Sequence, residues 1–377
     1  MSTPHTTAGK SRAPRAPRAH RRRLALALAW TLAAALLPAA ARLRAQELPG
    51  ARIAPMTTPP QAKPAPAGKL PQIPTIVANA DLVNMTFSVE GKHGGFVPGL
   101  AQNDFRVLED GAPQRIQFFS LEDQLPLTLG LLLDTSPSQA GILGEEQQIS
   151  DQFFRQVITP KDLAFVIGFD VDTSLLHDLT SSPAELSAAV DRAHIGGGDA
   201  AGSIYNPGPF PSPSSAGATH LWDAIYLACH DELAHQVGRK AIIVVTDGGE
   251  QGSSYTHLDA LRAALDSNTI VFAVLASDPH FGGYGGFIGP GPGQLAQIAQ
   301  QTGGRTIRAG NHLARAFQQI QQELRSQYTL GYRSRDRARD GKFRAVKIEL
   351  APAAAQGDAQ GAKVRARSGY FAPGPGQ

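Results

Sequence analysis

The 377-residue chain has one cysteine, Cys229, so no intramolecular disulfide can brace it and the fold must hold by packing, with or without a metal. It also lacks H-E-x-x-H and a nucleophile elbow, and no acid is placed as a general base, which argues against hydrolytic chemistry and for a non-enzyme. Acids are missing from the first 45 residues, which hold nine of the 35 Lys and Arg residues. The rest of the chain therefore carries 26 bases against 32 acids. The net charge of +3 belongs to the leader, and a nucleic-acid partner is not expected.

The leader itself, residues 1–45, has a basic stretch ending at Arg23, an uncharged run from Leu24 to Ala41, and Ala39 and Ala41 after Pro38. This is the pattern of a cleaved secretory signal, and it places the protein in the periplasm or at the cell surface. The alternative is a retained anchor, because the run just reaches the length of a minimal spanning helix. No lipid-attachment cysteine follows, and after cleavage no membrane span is expected. Residues 46–74 are crowded with Pro and Ala and read as a semi-rigid spacer.

Residues 75–122 contain short segments rich in β-branched and aromatic residues, with a hairpin signal at Asp110-Gly111. Residues 328–374 return to alternating strand patterns, and the two flanks are expected to pair as one small β-sandwich. The mixed charges of "RSRDRARDGK" predict a solvated hairpin tip between two of those strands.

Between the flanks, residues 125–327 alternate apolar strands with amphipathic stretches. The strands are expected at Leu127–Leu133, Leu163–Phe169, Ala241–Thr246 and Thr269–Ala276. Helical faces are formed by Ile142, Ile149, Phe153 and Val157, by Leu221, Ile225, Cys229 and Leu233, by Leu258, Leu261 and Leu265, and by Leu313, Phe317, Ile320 and Leu324. Near-continuous apolar strands between such helices predict an α/β fold, a doubly wound and mainly parallel sheet covered on both faces. Cys229 is then buried filler.

Following the chain up and down that sheet brings Asp134, Ser136, Ser138, Thr219 and Asp247 to the carboxyl edge of the strands, where open α/β sheets bind ligands. Two carboxylates and three hydroxyls, without His or Cys, suit a hard cation such as Mg²⁺, with Mn²⁺ or Ca²⁺ as alternatives. The bland reading is that each is a helix cap or turn former.

In that order the residues resemble the metal-ion-dependent adhesion site of the von Willebrand factor type A domain: D-x-S-x-S at Asp134-Thr135-Ser136-Pro137-Ser138, then Thr219, then Asp247. The flanking segments resemble those of exported, acidobacterial-type proteins related to that family. The resemblance implies that the serines and threonine hold the cation directly, that the aspartates help directly or through water, and that a vacant position takes an Asp or Glu carboxylate from a protein partner. The expected function is an exported adhesion or assembly module. The alternatives are a structural component of an envelope or secretion complex that uses the domain as a metal-independent scaffold, and, less favoured, a metal-dependent hydrolase.

Two loops, residues 196–216 and 278–293, are placed on the same rim and scatter Tyr205, Phe210, Phe281, Tyr284 and Phe287 among Gly and Pro. With His220, these are candidate partner contacts. Asp170 and Asp172 at a hairpin tip could hold a second cation, though a solvated turn is the better account. His230 and His235, five apart, share a helix face poorly and do not suggest a zinc pair.

Overall fold

The computed structural model describes residues 82–121, 125–196, 203–205, 219–277, 291–310, 312–352, 354 and 359–375. The leader and spacer, and with them Phe210, Phe281, Tyr284 and Phe287, lie outside the described residues.

A seven-stranded sheet organises the central part. Its strands are β5 (Leu127–Asp134), β6 (Leu163–Phe169), β7 (Thr173–Thr180), β8 (Ser203–Tyr205), β9 (Arg239–Thr246), β10 (Thr269–Leu275) and β11 (Thr306–Arg308), in the order β11-β10-β9-β5-β6-β7-β8. From β11 to β6 every pairing is parallel, whereas β7 runs antiparallel to β6 and β8 antiparallel to β7. Because β5 lies in the middle, both of its faces are covered and all eight of its residues are buried.

One face packs against α1 (Leu143–Val157), α2 (Pro183–Val190) and α6 (Leu313–Arg325), the other against α3 (Leu221–Leu227), α4 (His257–Asp266) and α5 (Gly291–Gln301). Strand side chains alternate accordingly: Leu129, Leu131 and Leu133 meet the first set and Leu132 the second. This is the doubly wound α/β sheet that the apolar rhythm predicts.

Several details depart from the sequence expectations. Leu258 is 58% exposed and does not share the buried face of Leu261 and Leu265, since it sits in the first turn of α4 beyond the packed stripe. The segment expected as one helix through Leu233 is α-helical only to Leu227 and continues as a π-turn, Ala228–Glu232. Helix α5 and the three-residue β11 carried too few apolar residues to be expected.

The flanks form two antiparallel sheets. The first joins β14 (Lys363–Ala366), β1 (Leu82–Glu90), β12 (Gln327–Arg333) and β4 (Ile116–Leu121); the second joins β15 (Gly369–Phe371), β13 (Phe343–Leu350), β2 (Phe105–Glu109) and β3 (Ala112–Gln114). Strands from before residue 122 thus pair with strands from after residue 326 in both sheets. Phe87, Phe105, Phe119 and Tyr328 stack between them with ring centroids 4.9–5.7 Å apart.

The Asp110-Gly111 turn forms as predicted, both residues taking positive φ (47° and 80°) to connect β2 with β3. The segment "RSRDRARDGK", in contrast, is not a hairpin tip. It carries the chain from β12 in one sheet to β13 in the other, and the buried Arg344 guanidinium is paired with Asp336 and Asp340 along its path.

The sandwich meets the α/β part through buried charges. Arg305 lies 2.6 Å from Glu323 on α6 and 3.4 Å from Glu90 on β1, Ser88 donates to Glu323 at 2.7 Å, and Arg365 pairs with Glu90 at 2.7 Å. Arg367 donates to the carbonyls of Leu265 at 3.1 Å and Asn84 at 2.8 Å.

Candidate functional site

Asp134 ends β5 at the carboxyl edge and is fully buried. Its Oδ1 accepts the Ser136 backbone N–H at 2.9 Å, an Asx-type turn that folds the chain back over the strand end. Pro137 then opens a short 3₁₀ turn, Pro137–Gln139, with its φ already set for it. The turn brings the Ser136 and Ser138 hydroxyls to 3.0 Å. Adjacent oxygens around an octahedral Mg²⁺ with ~2.1 Å bonds stand about 3 Å apart, so this hydroxyl pair fits such an ion.

Thr219 and Asp247 arrive from the other side of the strand end. Thr219 is held by two backbone hydrogen bonds with Gln251, 3.2 and 3.0 Å, in the loop that follows Asp247. Glu250 in that same loop accepts the backbone N–H groups of Leu221 and Trp222, at 3.0 and 3.3 Å, and so anchors the start of α3 just beyond Thr219.

Gly249 shows how close the two side chains are. A Cβ added there would stand 3.0 Å from the Asp247 carboxylate and 3.9 Å from the Thr219 hydroxyl. At Gly248, φ is +87° and a Cβ would meet Pro292 at 2.7 Å, so only glycine lets the loop turn here against α5.

The two halves are joined by a residue that the sequence pattern does not single out. The Thr246 hydroxyl donates to Asp134 Oδ2 at 2.5 Å, across 112 residues of chain, and accepts the Gly248 N–H at 3.0 Å. A threonine closing an otherwise apolar strand next to Asp247 was the available signal. Burial pushes the Asp134 carboxyl up to about 6, against the hydrogen bonds from Ser136 and Thr246 and with the Asp247 charge adding to the rise. A buried carboxylate so placed favours an incoming cation.

The structure thus brings Asp134, Ser136 and Ser138 together as one group and Thr219 and Asp247 as another, and links the two through Thr246. Among the described residues no group of three or more His, Cys, Asp or Glu side chains has the spacing to hold a metal. A cation here would depend on hydroxyls, as the chemistry of the donor set requires.

The other candidates are placed as follows. His220 follows Thr219 and its Nδ1 lies 3.9 Å from Asp223, whose carboxylate accepts from Ser254 and Tyr255. Tyr205 ends β8, the edge strand of the sheet, opposite Thr173. The first rim loop leaves from Gly196, whose N–H donates to the Thr135 carbonyl at 2.9 Å, and the second rejoins at Gly291, packed on the Gly248 carbonyl. Both loops therefore have described ends beside the site.

Asp170 is buried and not solvated. Its carboxylate accepts the Asp172 N–H at 2.9 Å as a turn former, and its own carbonyl accepts the His220 N–H at 2.7 Å. Cys229 is buried in the core and its thiol is pushed up to about 12 by burial, so it is unreactive. His230 lies beside Asp231 at 2.6 Å and stacks on Tyr226. No helix among the described residues is long and apolar enough to cross a membrane.

No family model and no curated protein matches the chain. Solved structures similar to it include an aerotolerance-related membrane protein of Bacteroides fragilis, with 18% identity, TM-score 0.38, and coverage of 52% of this chain and 98% of that one. The conserved hypothetical protein BatB of Bacteroides thetaiotaomicron has 19% identity, TM-score 0.38, and coverage of 53% and 100%. The vWF domain of the type V pili tip protein Mfa5 of Porphyromonas gingivalis has 12% identity, TM-score 0.35, and coverage of 52% and 94%.

Proposed function

We propose that the protein is a metal-dependent protein-binding module of the von Willebrand factor type A kind, exported by its leader, which captures an Asp or Glu of a protein partner at the carboxyl edge of the sheet. Ser136, Ser138 and Thr219 would hold a divalent cation, Mg²⁺ foremost, with Asp134 and Asp247 acting directly or through water. A bound cation supplies a Lewis-acidic position for the partner's carboxylate. The chain's own work is to orient the hydroxyls, and the described loop ends Gly196, bonded to the Thr135 carbonyl, and Gly291, packed on the Gly248 carbonyl, support the reading of a partner-binding rim. The observation that carries the reading is the Thr246 to Asp134 hydrogen bond of 2.5 Å, which ties both halves of the donor set into one edge.

The test is calorimetric titration of Mg²⁺, Mn²⁺ and Ca²⁺ into wild type and Asp134→Ala, with folding followed by circular dichroism. Saturable binding lost in a folded variant supports the site; a folded wild type that takes up none of the three ions sinks it. One observation favours a second reading, a metal-independent scaffold: both Asp134 oxygens already accept hydrogen bonds within the protein. In that case partner capture would persist in chelator, whereas the metal-bridged contact would not.

A further inference from the structure

Glu146 stands in the first turn of α1 and is fully buried, and neither of its carboxylate oxygens has a hydrogen-bond partner. Two residues of the same stretch of chain share that condition. Gln139, directly after Ser138, is fully buried with both amide atoms unpaired, and Ser150, one turn along the same face of α1, is buried with a free hydroxyl.

Buried polar groups in folded proteins are bonded to protein or to ordered water, and a carboxylate in an apolar wall is costly unless something compensates it. What faces Glu146 identifies the compensation. Burial most of all, and then the charges of Asp134, Glu145 and Asp247, disfavour its ionisation. Acids that act on one another in this way repel when ionised unless a cation comes among them. They are not spaced to share one directly, since no trio of acids among the described residues is. An intervening water would let such acids act on one ion, since Mg²⁺ keeps several waters when it binds to protein.

We infer that Glu146 is an outer carboxylate of the cation site, reaching a bound ion through an ordered water that Gln139 and Ser150 help to hold. This rests on the metal-site reading above and deepens it. A third carboxylate raises the attraction for the ion without occupying a coordination position, so the position offered to a partner stays free. It also explains why an acid is retained on the buried stripe of α1, between Leu143 and Phe153, where an apolar residue would pack better.

The experiment is titration of MgCl₂ into the full chain, comparing wild type with Glu146→Gln and with Glu146→Met, an apolar replacement of similar size. Outer-sphere partners typically contribute 10–100-fold to metal affinity, and a loss of about that size is expected in both variants. With EDTA present, both should melt at or above the wild-type temperature near pH 7, because neither replacement has to take up a proton to be buried. Affinity within about twofold of wild type in both variants overturns the role of Glu146 alone. Failure of both to fold shows a structural group and also overturns it. A wild type that binds no Mg²⁺ removes the site reading, and this inference with it.

Discussion

Two of the places where the molecule buries charge are treated oppositely. At the junction of sandwich and sheet, Arg305, Glu323, Glu90 and Arg365 pair base with acid at 2.6–3.4 Å, and Arg367 is held by carbonyls. At the carboxyl edge, Asp134, Asp247 and Glu146 are all of one sign, and Glu146 accepts no hydrogen bond. The junction is complete without anything added, whereas the edge is electrostatically unfinished. Buried charge of the first kind fixes how parts sit together; charge of the second kind is tolerated where a ligand completes it.

The comparison can be broken most severely at the junction. Glu323→Ala leaves the buried Arg305 with only Glu90 at 3.4 Å, and a loss approaching the about 3–5 kcal/mol of a broken buried pair is expected. Thermal denaturation should show it equally with and without Mg²⁺. At the edge the larger effect should fall on binding: Asp134→Ala should weaken Mg²⁺ by about 100-fold or more, or roughly 2.7 kcal/mol, and lower the metal-free melting temperature by less than Glu323→Ala does, through the Ser136 N–H and Thr246 hydroxyl it leaves unpaired. Thr246→Val, which removes the hydroxyl that orients Asp134, should lose about 10-fold in the same titration.

A pH series sharpens the contrast further. Burial, with the charges of Asp134, Glu145 and Asp247, pushes the Glu146 carboxyl from its ordinary 4.5 up to about 8, so the folded protein holds a proton that the unfolded chain gives up. Metal-free stability should therefore be greatest below pH 4.5 as far as this group is concerned, and fall as pH rises toward 8. Glu146→Gln should flatten that slope in urea titrations at successive pH values. The smallest effect is expected at the exposed Arg262, which lies 4.6 Å over the Phe371 ring and beside Asp266; Arg262→Ala should cost about 0.5–1 kcal/mol, most of it from the ring contact.

Much of this was legible because the central strands are buried on both faces. Leu127–Leu133 and Leu163–Phe169 carry near-continuous apolar runs, broken only by Thr128, Gly130 and Gly168, that no amphipathic element would have. The spacing of Asp134, Ser136 and Ser138 was legible too, since one tight turn positions all three. Thr246 and Glu146 were not singled out, because their meaning depends on what lies across the fold from them. A trace of Glu146 was nonetheless present: it falls four residues after Ile142 and three before Ile149, on the apolar stripe itself. The path of "RSRDRARDGK" was misread because local charge describes a solvated connection but not which sheet the next strand joins.

The pairing of Leu121 on β4 with Tyr328 on β12 has a mechanical consequence. The chain leaves the sandwich for the whole α/β part and returns at the strand beside its point of departure, as if some two hundred residues had been spliced into a hairpin loop. Tension applied between Leu82 and Phe371 would then run through the sandwich strands and bypass the α/β part. The carboxyl edge of the central sheet would keep its geometry under a pull that could peel the sandwich apart.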